Sequence, residues 1–527
     1  MAKIQDSWAV RIFRHVSGTF SADEGNSRLL LVTIGIVLVV WHVAVLAAKG
    51  PFWLGLNMDP DYAYLLNSLD IARGLRPFHV DHPGTLVQLL GATIIRISHL
   101  FAKNSNLVED VIRNSEHYLQ IIAYTFFGLY ALLLTVLALA VRAVTRNTIA
   151  AVIVQLTPLF ASEIPGNLAC AKPEAVLLSI AACVALATMI VIIRIDRRAS
   201  PWMGLTFGVL AGAGLATKIT AAPLFLISLF MLCGWRAWSA YFAATIIAGA
   251  VITIPAWPRL IYTFGFLERI ATHAGLYGLG PPLHWELAIY WRTVINLLAG
   301  EPAMVAVMLT AILAVWIDRR RSEGRPEIRR AVLGFLAAQV VTVLMVARHP
   351  GGGFLGSGDH YLIPGLGLIG PTAAFAWILL APAVTRQWSL VSGLLLGATA
   401  LAVYQITTLC SVYRVLDIRH ERQQAVVTYA HDRYPNAKIH YFYRASNPGF
   451  ALYFGDNFAG MHYEKEIAAA YPAMSPWNGN PEPGHTTQLY QFQNSSSDVF
   501  YSVDWNRLGI KVTRVFGNNV EALYEVK

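Results

Sequence analysis

The sequence predicts a polytopic α-helical membrane protein with a small α/β domain at its C-terminal end. Three observations lead to this prediction: an apolar composition, arginines grouped in short loops between apolar runs, and a change of composition after about residue 412. Hydrophobic residues make up 56% of the 527 residues, charged residues 13%, and the mean hydropathy is +0.50. A soluble domain carries about 25% charged residues, so this composition indicates a membrane protein.

Eleven apolar runs are candidates for membrane-spanning helices, each of which needs about 20 mostly apolar residues. The first 28 residues are polar and are predicted to form a cytoplasmic segment. The run at 29–48 exceeds the about 7–15 residues of a signal-peptide core, so it is predicted to be an uncleaved span. The runs begin near residues 29, 118, 148, 174, 202, 220, 238, 301, 331, 361 and 388.

The arginines predict the orientation of these helices. With a cytoplasmic N-terminus, every second gap between spans contains arginine, and the other gaps are mostly longer, with basic residues that are sparser along the chain. This is the positive-inside pattern of a bacterial inner membrane. The segments 49–117, 164–173, 255–300 and 347–360 and the C-terminal region are then periplasmic. The same pattern explains the net charge of +9 without nucleic acid as a partner. The arginines concerned are Arg142, Arg146, Arg194, Arg197, Arg198, Arg236, Arg319, Arg320, Arg321, Arg325, Arg329, Arg330 and Arg386.

The segment 83–101 is predicted to be an amphipathic helix on the membrane surface, because polar residues interrupt its apolar run. The alternative is a true span, which would invert every later loop and break the arginine pattern. The membrane module is therefore assigned to 29–410, with juxtamembrane helices in its first outer loop at 49–117.

The C-terminal segment 411–527 is predicted to be a periplasmic α/β domain. Its stretches 438–443, 487–492 and 499–503 are short and rich in aromatic and β-branched residues, and turn-forming residues separate them, as is typical of strands. A unit of about 110 residues is large enough to fold alone.

Two acids follow the first span, Asp59 and Asp61, with Pro60 between them. Carboxylates beside hydrocarbon are costly unless they are paired, liganded or functional. Desolvation raises the pKa of a carboxyl group, which suits a general base. The alternative is that Asp61 only caps a surface helix over 62–73, since Asp favours that position.

A second polar cluster in the same loop contains His79, Asp81 and His82. His82 could orient a carboxylate, bind a metal ion or contact a phosphate. The alternative is an ordinary helix start with Pro83 in the first turn.

Cations lie at predicted outer helix ends. Lys172 precedes Pro173 and Glu174, Lys218 separates two apolar runs, and His360 and Tyr361 open a late helix. Lys218 and Arg348 are well placed to hold a phosphate at the membrane boundary. The alternative is that their side chains only extend to the membrane interface.

The order of these motifs resembles the GT-C class of membrane glycosyltransferases, in particular the protein mannosyltransferase and aminoarabinose transferase branch (glycosyltransferase family 39), which includes rhizobial lipid A galacturonosyltransferase-like proteins. The resemblance covers about residues 29–410. Two positions depart from it: Tyr62 stands where the family has a second acid, and Gly84 where it has a second proline. The counterparts are Asp61-Tyr62-Ala63-Tyr64 for D-E-x-x-Y, His82-Pro83-Gly84 for H-P-P, Lys172-Pro173-Glu174 for L-P-D, Gly214-Leu215-Ala216-Thr217-Lys218 for G-L-A-x-L-T-K, and His360-Tyr361-Leu362-Ile363-Pro364 for Y-L-L-P.

The resemblance implies transfer of a sugar from a polyprenyl-phosphate donor to an envelope lipid, glycan or protein, with inversion at the anomeric carbon and Asp61 or Asp59 as the base. The metal site is unassigned, although clustered acids and histidines would suit a divalent cation such as Mg²⁺ or Mn²⁺. The implied phosphate ligands are Lys218, Arg348, Lys172 and His360, and the candidates for sugar, acceptor or metal contacts are His82, Glu174, Asp81, Tyr64 and Tyr361.

Two other functions stay open at the level of sequence. A transporter or flippase of an envelope lipid or glycan would place polar residues at the membrane midplane, often on broken helices. Here the ionisable residues lie mainly at predicted helix ends, which favours an enzyme. A non-catalytic envelope assembly protein is the third alternative, because the C-terminal domain has no recognisable motif.

Overall fold

The computed structural model describes residues 22–81, 83–102, 106–273, 278–282, 286–321, 324–348, 359–384, 388–472, 474–476, 487–493 and 511–526. Its helices are α1 (Ala22–Lys49), α2 (Asp61–Ala72), α3 (Thr85–His99), α4 (Leu107–Arg113), α5 (Ser115–Thr145), α6 (Thr148–Gln155), α7 (Glu163–Leu168), α8 (Pro173–Ile193), α9 (Pro201–Thr217), α10 (Ile227–Met231), α11 (Trp235–Thr253), α12 (Leu260–Thr272), α13 (Leu287–Gly300), α14 (Pro302–Arg319), α15 (Pro326–Val346), α16 (Ile363–Leu366), α17 (Ile369–Val384), α18 (Trp388–Arg433), α19 (Pro448–Asn457) and α20 (Glu464–Ala470). Short 3₁₀ helices lie at Gly55–Met58, Thr157–Leu159, Ile195–Ala199, Ile219–Leu226, Ile254–Arg259 and Asp359–Leu362.

Within the described residues, seven helical stretches are long and apolar enough to cross a membrane. They coincide with seven of the eleven predicted runs, namely those near residues 29, 118, 174, 238, 301, 331 and 361. The chain is therefore a multi-pass membrane protein, and the predicted count of about eleven is not confirmed. The seven stretches are Gly25–Lys49, Ser115–Thr145, Pro173–Ile193, Trp235–Thr272, Pro302–Arg319, Pro326–Val346 and His360–Pro382.

The other four apolar runs form different helices. The run near 148 gives eight helical residues and then a 3₁₀ turn with Pro158. The run near 220 is a 3₁₀ helix that contains Pro223, followed by the short α10. Proline removes a backbone donor and disrupts an α-helix, which explains both interruptions. The run near 202 gives a helix of 17 residues, and the run near 388 is the start of the 46-residue α18.

The segment 49–117, predicted to be the first outer loop, contains the helices α2, α3 and α4, and their placement at the membrane surface stays a prediction. Helix α3 has 15 residues and is not among the seven candidate spans. At about 1.5 Å per residue it is too short for a hydrocarbon core of about 30 Å. One face of α3 packs on α2, so closely that a Cβ on Gly91 would lie 2.3 Å from Ser68 Oγ.

The C-terminal segment contains a mixed five-stranded sheet in the order β2-β1-β3-β5-β4, in which β1 pairs in parallel with β2 and β3 and the other pairs are antiparallel. Two of the three predicted strand stretches are β1 and β3, and 499–503 lies outside the described residues. The strands are β1 (Lys438–Phe442), β2 (Ser475–Pro476), β3 (Gln488–Gln493), β4 (Val512–Gly517) and β5 (Glu521–Val526).

The hydrophobic core continues from the membrane helices into the C-terminal segment. Ala451 and Leu452 of α19 and Ile467 of α20 belong to the same buried cluster as the helices of the membrane module. A second, smaller cluster joins α18 to the sheet through Val426 and Leu523. Helix α18 runs without a break through the predicted boundary at 410/411, and the division of the chain into domains stays a prediction.

Candidate active site at the ends of the membrane helices

A buried ion pair joins the start of α8 to the end of α9. Pro173 is the first residue of α8, which places Glu174 in its first turn, and Lys218 follows the last residue of α9 in an extended conformation. Lys218 Nζ donates to Glu174 Oε1 at 2.5 Å, and the two side chains are only 6% and 3% exposed. Lys218 is therefore not an exposed interfacial cation, contrary to the alternative that its side chain only extends to the membrane interface.

The short helix Asp359–Leu362 completes this cluster, which we call the Lys218 cluster (Glu174, Lys218, His360 and Tyr361). His360 Nε2 lies 4.0 Å from Glu174 Oε1. The Lys218 ammonium lies 4.5 Å from the centre of the Tyr361 ring, a distance that allows a cation–π interaction. Four of the residues singled out from sequence are thus brought together from three distant parts of the chain.

Asp61 is buried near Lys172, which stands two residues before Glu174 of the Lys218 cluster. It is the first residue of α2 and makes no capping hydrogen bond, since Pro60 occupies the N-cap position. Instead, the backbone N–H of Ala171 donates to Asp61 Oδ1, and Lys49 Nζ lies 3.9 Å from Asp61 Oδ2. Burial raises the pKa of the Asp61 carboxyl, while Lys49 and the Ala171 N–H oppose that shift. These contacts contradict the alternative that Asp61 only caps a helix.

Asp59 has a different environment from Asp61. Its side chain is 33% exposed, whereas that of Asp61 is 1% exposed. The guanidinium of Arg444, which follows strand β1, donates to Asp59 Oδ2. Asp59 is therefore the accessible one of the two loop acids, and Asp61 is shielded from solvent.

Tyr64 and His79 lie between Asp59 and the Lys218 cluster. Burial, reinforced by Glu174, raises the pKa of the Tyr64 hydroxyl well above its usual value, and Asp81 and Asp59 act in the same direction. His79 packs edge-on against Tyr64, with ring centres 5.6 Å apart, and interacts electrostatically with Asp81, Asp59 and Lys218. Tyr64 consequently stays protonated and can donate a hydrogen bond in this region.

Lys172 adds a cation near the carboxylates of Glu174 and Asp61. Burial lowers the pKa of its ammonium group, but Cys170, Glu174 and Asp61 raise it more, so the pKa lies above its usual value and the group stays charged. Lys172 is half-buried. The site thus combines an accessible carboxylate with several cations at the membrane boundary, an arrangement suited to holding an anionic group near a base.

Two residues predicted for the site are not brought into it by the described contacts. The guanidinium of Arg348 donates to the carbonyl oxygen of Ala271 in α12. His82 lies outside the described residues. Their predicted roles as a phosphate ligand and as a sugar, acceptor or metal contact stay predictions.

Tyr62 stands where the resemblance leads us to expect a second acid, and its hydroxyl makes a hydrogen bond to helix α5. The Tyr62 hydroxyl donates to Glu116 Oε1 at 2.8 Å. Glu116 also accepts from the backbone N–H groups of Phe52 and Trp53. A carboxylate from α5, that of Glu116, therefore lies next to Tyr62. No motif in the first loop indicated this contact.

The residues missed from sequence are chiefly Lys49 and Arg444. Lys49 Nζ also donates to the carbonyl oxygen of Ala169 at 2.8 Å and to Cys170 Sγ at 3.2 Å. Lys49 stands in the last turn of the first span, and a cation at that position could have been chosen as a candidate site residue. Nothing in the local sequence around Arg444 indicates that it meets a residue 385 positions earlier.

A metal site was predicted only as an option. Across the part of the chain that the structure describes, no group of three or more His, Cys, Asp or Glu side chains could hold a metal ion. His82 lies outside that part, and the metal question stays open as a prediction.

Fold and site together define a multi-pass membrane protein with a cluster of acids and cations at the ends of its helices. Among solved structures, the chain is similar to ArnT from Cupriavidus metallidurans in the apo state, with a TM-score of 0.50 and 14% identity over 96% of this chain and 98% of that one. The same protein bound to undecaprenyl phosphate gives a TM-score of 0.48 and 13% identity over 93% and 98%. The fold is therefore ArnT-like. No protein-family model matches the sequence, and no curated protein matches it.

Proposed function

We propose that this protein is a periplasmic-facing inner-membrane glycosyltransferase that moves a sugar from a polyprenyl phosphate to an acceptor hydroxyl of the cell envelope. The observation that supports the proposal is an accessible carboxylate, Asp59, which shares the neighbours Tyr64 and His79 with the buried Lys218 cluster. Sugar transfer needs both a base and an anion site. The ArnT-like fold supports it, and the resemblance of the dispersed motifs to the GT-C class implies the same kind of reaction.

The donor phosphate binds at the cationic side of the site. Lys172 and His360 are half-buried and contact it, while Lys218, held by Glu174, adds positive charge behind them. The resemblance implies Arg348 as a further ligand. These charges stabilise the phosphate as it gains negative charge in the transition state, which is the principal electrostatic contribution expected here.

The acceptor is activated at Asp59. Its carboxylate takes the proton of the acceptor hydroxyl as the acceptor oxygen attacks the anomeric carbon. The bond from that carbon to the phosphate oxygen breaks, and the polyprenyl phosphate leaves with the electron pair. Attack opposite to the leaving phosphate inverts the anomeric configuration. Tyr64, Asp81, Tyr361 and His82 are the candidates for contacts with the sugar or the acceptor.

The two loop acids take different roles in this proposal. Asp59, which is accessible, is the base. Asp61 is a positioning residue, because its carboxylate fixes the Ala171 N–H just before Lys172 and faces Lys49. It thereby holds the first loop against the segment that begins α8.

A paired substitution tests these roles. Asp59→Asn is expected to lower kcat by about 10²–10⁴-fold, the usual contribution of a general base, with an unchanged melting temperature. Asp61→Asn is expected to lower the melting temperature, because it leaves Lys49 buried without its carboxylate. Transfer is measured with purified protein, a panel of undecaprenyl-phosphate-linked hexose, pentose and uronic acid, and envelope glycolipids, by mass spectrometry.

Asp432→Asn is the control for these variants, because Asp432 is exposed on α18 and contacts only its neighbour His431 among the described residues. It is expected to behave as the wild type. Full activity in Asp59→Asn, together with loss of transfer and an unchanged melting temperature in Asp61→Asn, would assign the base to Asp61 instead.

A further inference from the structure

The chain after strand β1 is held in an unusual conformation. Tyr443 and Arg444 have φ angles of 37° and 54°, in the left-handed region that side chains other than glycine rarely adopt. This turn directs Arg444 back to the first outer loop, where its guanidinium meets Asp59 Oδ2. Residues in such conformations persist only when the surrounding structure holds them there, and they are found preferentially at functional sites.

The segment that follows Arg444 is fixed to the sheet. The backbone N–H and the hydroxyl of Ser446 donate to the two carboxylate oxygens of Glu521 in β5, both at 2.6 Å. Gln491 of β3 donates to the same carboxylate at 3.1 Å. Asn447 then caps α19 by accepting from the N–H of Phe450 at 3.0 Å. Arg444 therefore extends from a turn with little freedom to move.

The C-terminal helices dock on α2, the helix that begins just after Asp59. Asn67 Nδ2 donates to the carbonyl oxygen of Phe458 at 2.9 Å, and Tyr463 donates to Asp70 Oδ1 at 2.7 Å. Gly455 lies so close to α2 that a Cβ there would be 2.6 Å from the carbonyl oxygen of Tyr62. The distance between the turn at Arg444 and the start of α2 is thereby set by direct contacts.

A second arginine favours the same arrangement. Arg419 of α18 lies close enough to Arg444 for the two charges to repel, and burial together with this repulsion lowers the pKa of Arg419 to about 10. A positive charge on the α18 side makes the Asp59 side the favourable place for the Arg444 guanidinium. The Arg444 guanidinium also packs near the Phe454 ring, 5.7 Å from its centre.

We propose that Arg444 is a positioning residue for Asp59, so that the C-terminal segment completes the active site of the membrane module. The inference rests on the proposed function, in which Asp59 is the base. A guanidinium binds a carboxylate in a fixed direction, which a lysine ammonium does less well. Arg444 thus orients the Asp59 carboxylate to receive the acceptor proton without touching the donor.

The test separates positioning from a structural role. Arg444→Met is expected to lower kcat about 10- to 100-fold while the KM for the donor and the affinity for undecaprenyl phosphate stay within twofold of the wild type. Arg444→Lys is expected to recover part of the loss. In the Asp59→Asn background, Arg444→Met should cause no further loss, because residues that act as a unit are not additive. Arg422→Met, at an exposed arginine of α18 that contacts Asn519, is the control and should be unchanged.

Two results would overturn the inference: a kcat for Arg444→Met within twofold of the wild type, or losses that multiply in the double variant. If Arg444→Met is absent from the membrane fraction, Arg444→Gln is measured by the same two criteria. A wild-type protein that transfers no sugar would remove the proposed function as well, whereas an active wild type with a fully active Arg444→Met removes this inference alone.

Discussion

The ion pair between Lys218 and Glu174 is the most constrained feature of the site at the scale of single residues. Both side chains are almost fully buried, and their charged atoms are 2.5 Å apart. Two buried charges are tolerated only when each satisfies the other, because each has lost its hydration. The pair therefore holds a cation in place at a depth where a free ammonium group would be unfavourable.

Substitution of Glu174 tests this view. Glu174→Gln is expected to lower the free energy of unfolding by about 3–5 kcal/mol, because it leaves the Lys218 ammonium buried without a carboxylate. The double variant Glu174→Gln with Lys218→Met is expected to be more stable than the single one, since it also removes the unpaired charge. Thermal unfolding in detergent measures both, and a single variant as stable as the wild type would show that the pair does not bear on stability.

Single residues also show how far the sequence could predict the site. The members of the Lys218 cluster could be singled out because each stands at the end of an apolar run. Polar side chains there are costly unless they are paired or functional. Arg444 could not, because its meeting with Asp59 depends on how α19 and α20 dock on α2. The different exposure of Asp59 and Asp61 could not be predicted either, since it depends on Ala171 and Lys49.

At the scale of elements, the start of α3 explains one departure from the pattern of the family that the motifs resemble. Gly84 precedes α3 with a φ of 69°, and its N–H donates to the carbonyl oxygen of Thr217 at 3.2 Å, next to Lys218. Proline, which the family has at this position, is fixed near a φ of −65° and has no N–H. Glycine is the residue that suits this conformation.

Replacement of Gly84 by alanine is expected to destabilise this helix start. The left-handed conformation alone costs an alanine about 1–2 kcal/mol. A Cβ would also lie 3.0 Å from the Tyr64 ring and hydroxyl, so Gly84→Ala should displace Tyr64 and lower transfer as well as stability. Melting temperature and kcat are the measurements.

Gly74→Ala is the matched control for this substitution. Gly74 has a φ of 80°, and a Cβ there would meet nothing within 4 Å, so it reports the conformational cost alone. Gly84→Ala should lose more stability than Gly74→Ala. Transfer should fall in Gly84→Ala and stay unchanged in Gly74→Ala. Equal losses, with kcat unchanged in both, would contradict a role for the contact with Tyr64.

Element types were predictable wherever an apolar pattern was long and uninterrupted, as in α1, α5 and α8. The pattern failed where proline broke a run, as at Pro158 and Pro223, because an apolar run shows burial but not whether the backbone stays helical. The interrupted apolar pattern of 83–101 predicted a helix that does not span the membrane, and α3 has only 15 residues and is not among the seven candidate spans.

At the scale of the whole molecule, the membrane helices and the C-terminal segment share one hydrophobic core around α2. Composition and arginine distribution were sufficient to predict a membrane protein, and the order of dispersed motifs was sufficient to predict its ArnT-like fold. How the C-terminal segment is attached could not be predicted, because Asn67 and Asp70 of α2 meet Phe458 and Tyr463 nearly 400 residues later.

The central claim is that this molecule transfers a sugar from a polyprenyl phosphate. Its most direct test is to incubate the full-length protein in lipid nanodiscs with the undecaprenyl-phosphate-linked sugar panel and envelope glycolipids, and to follow the acceptor mass. The wild type is expected to add the mass of one hexose, pentose or uronic acid, and Asp59→Asn to add it at least about 10²-fold more slowly. An unchanged acceptor with every donor, together with movement of lipid or solute across vesicles that contain the protein, would contradict the claim and favour a transporter.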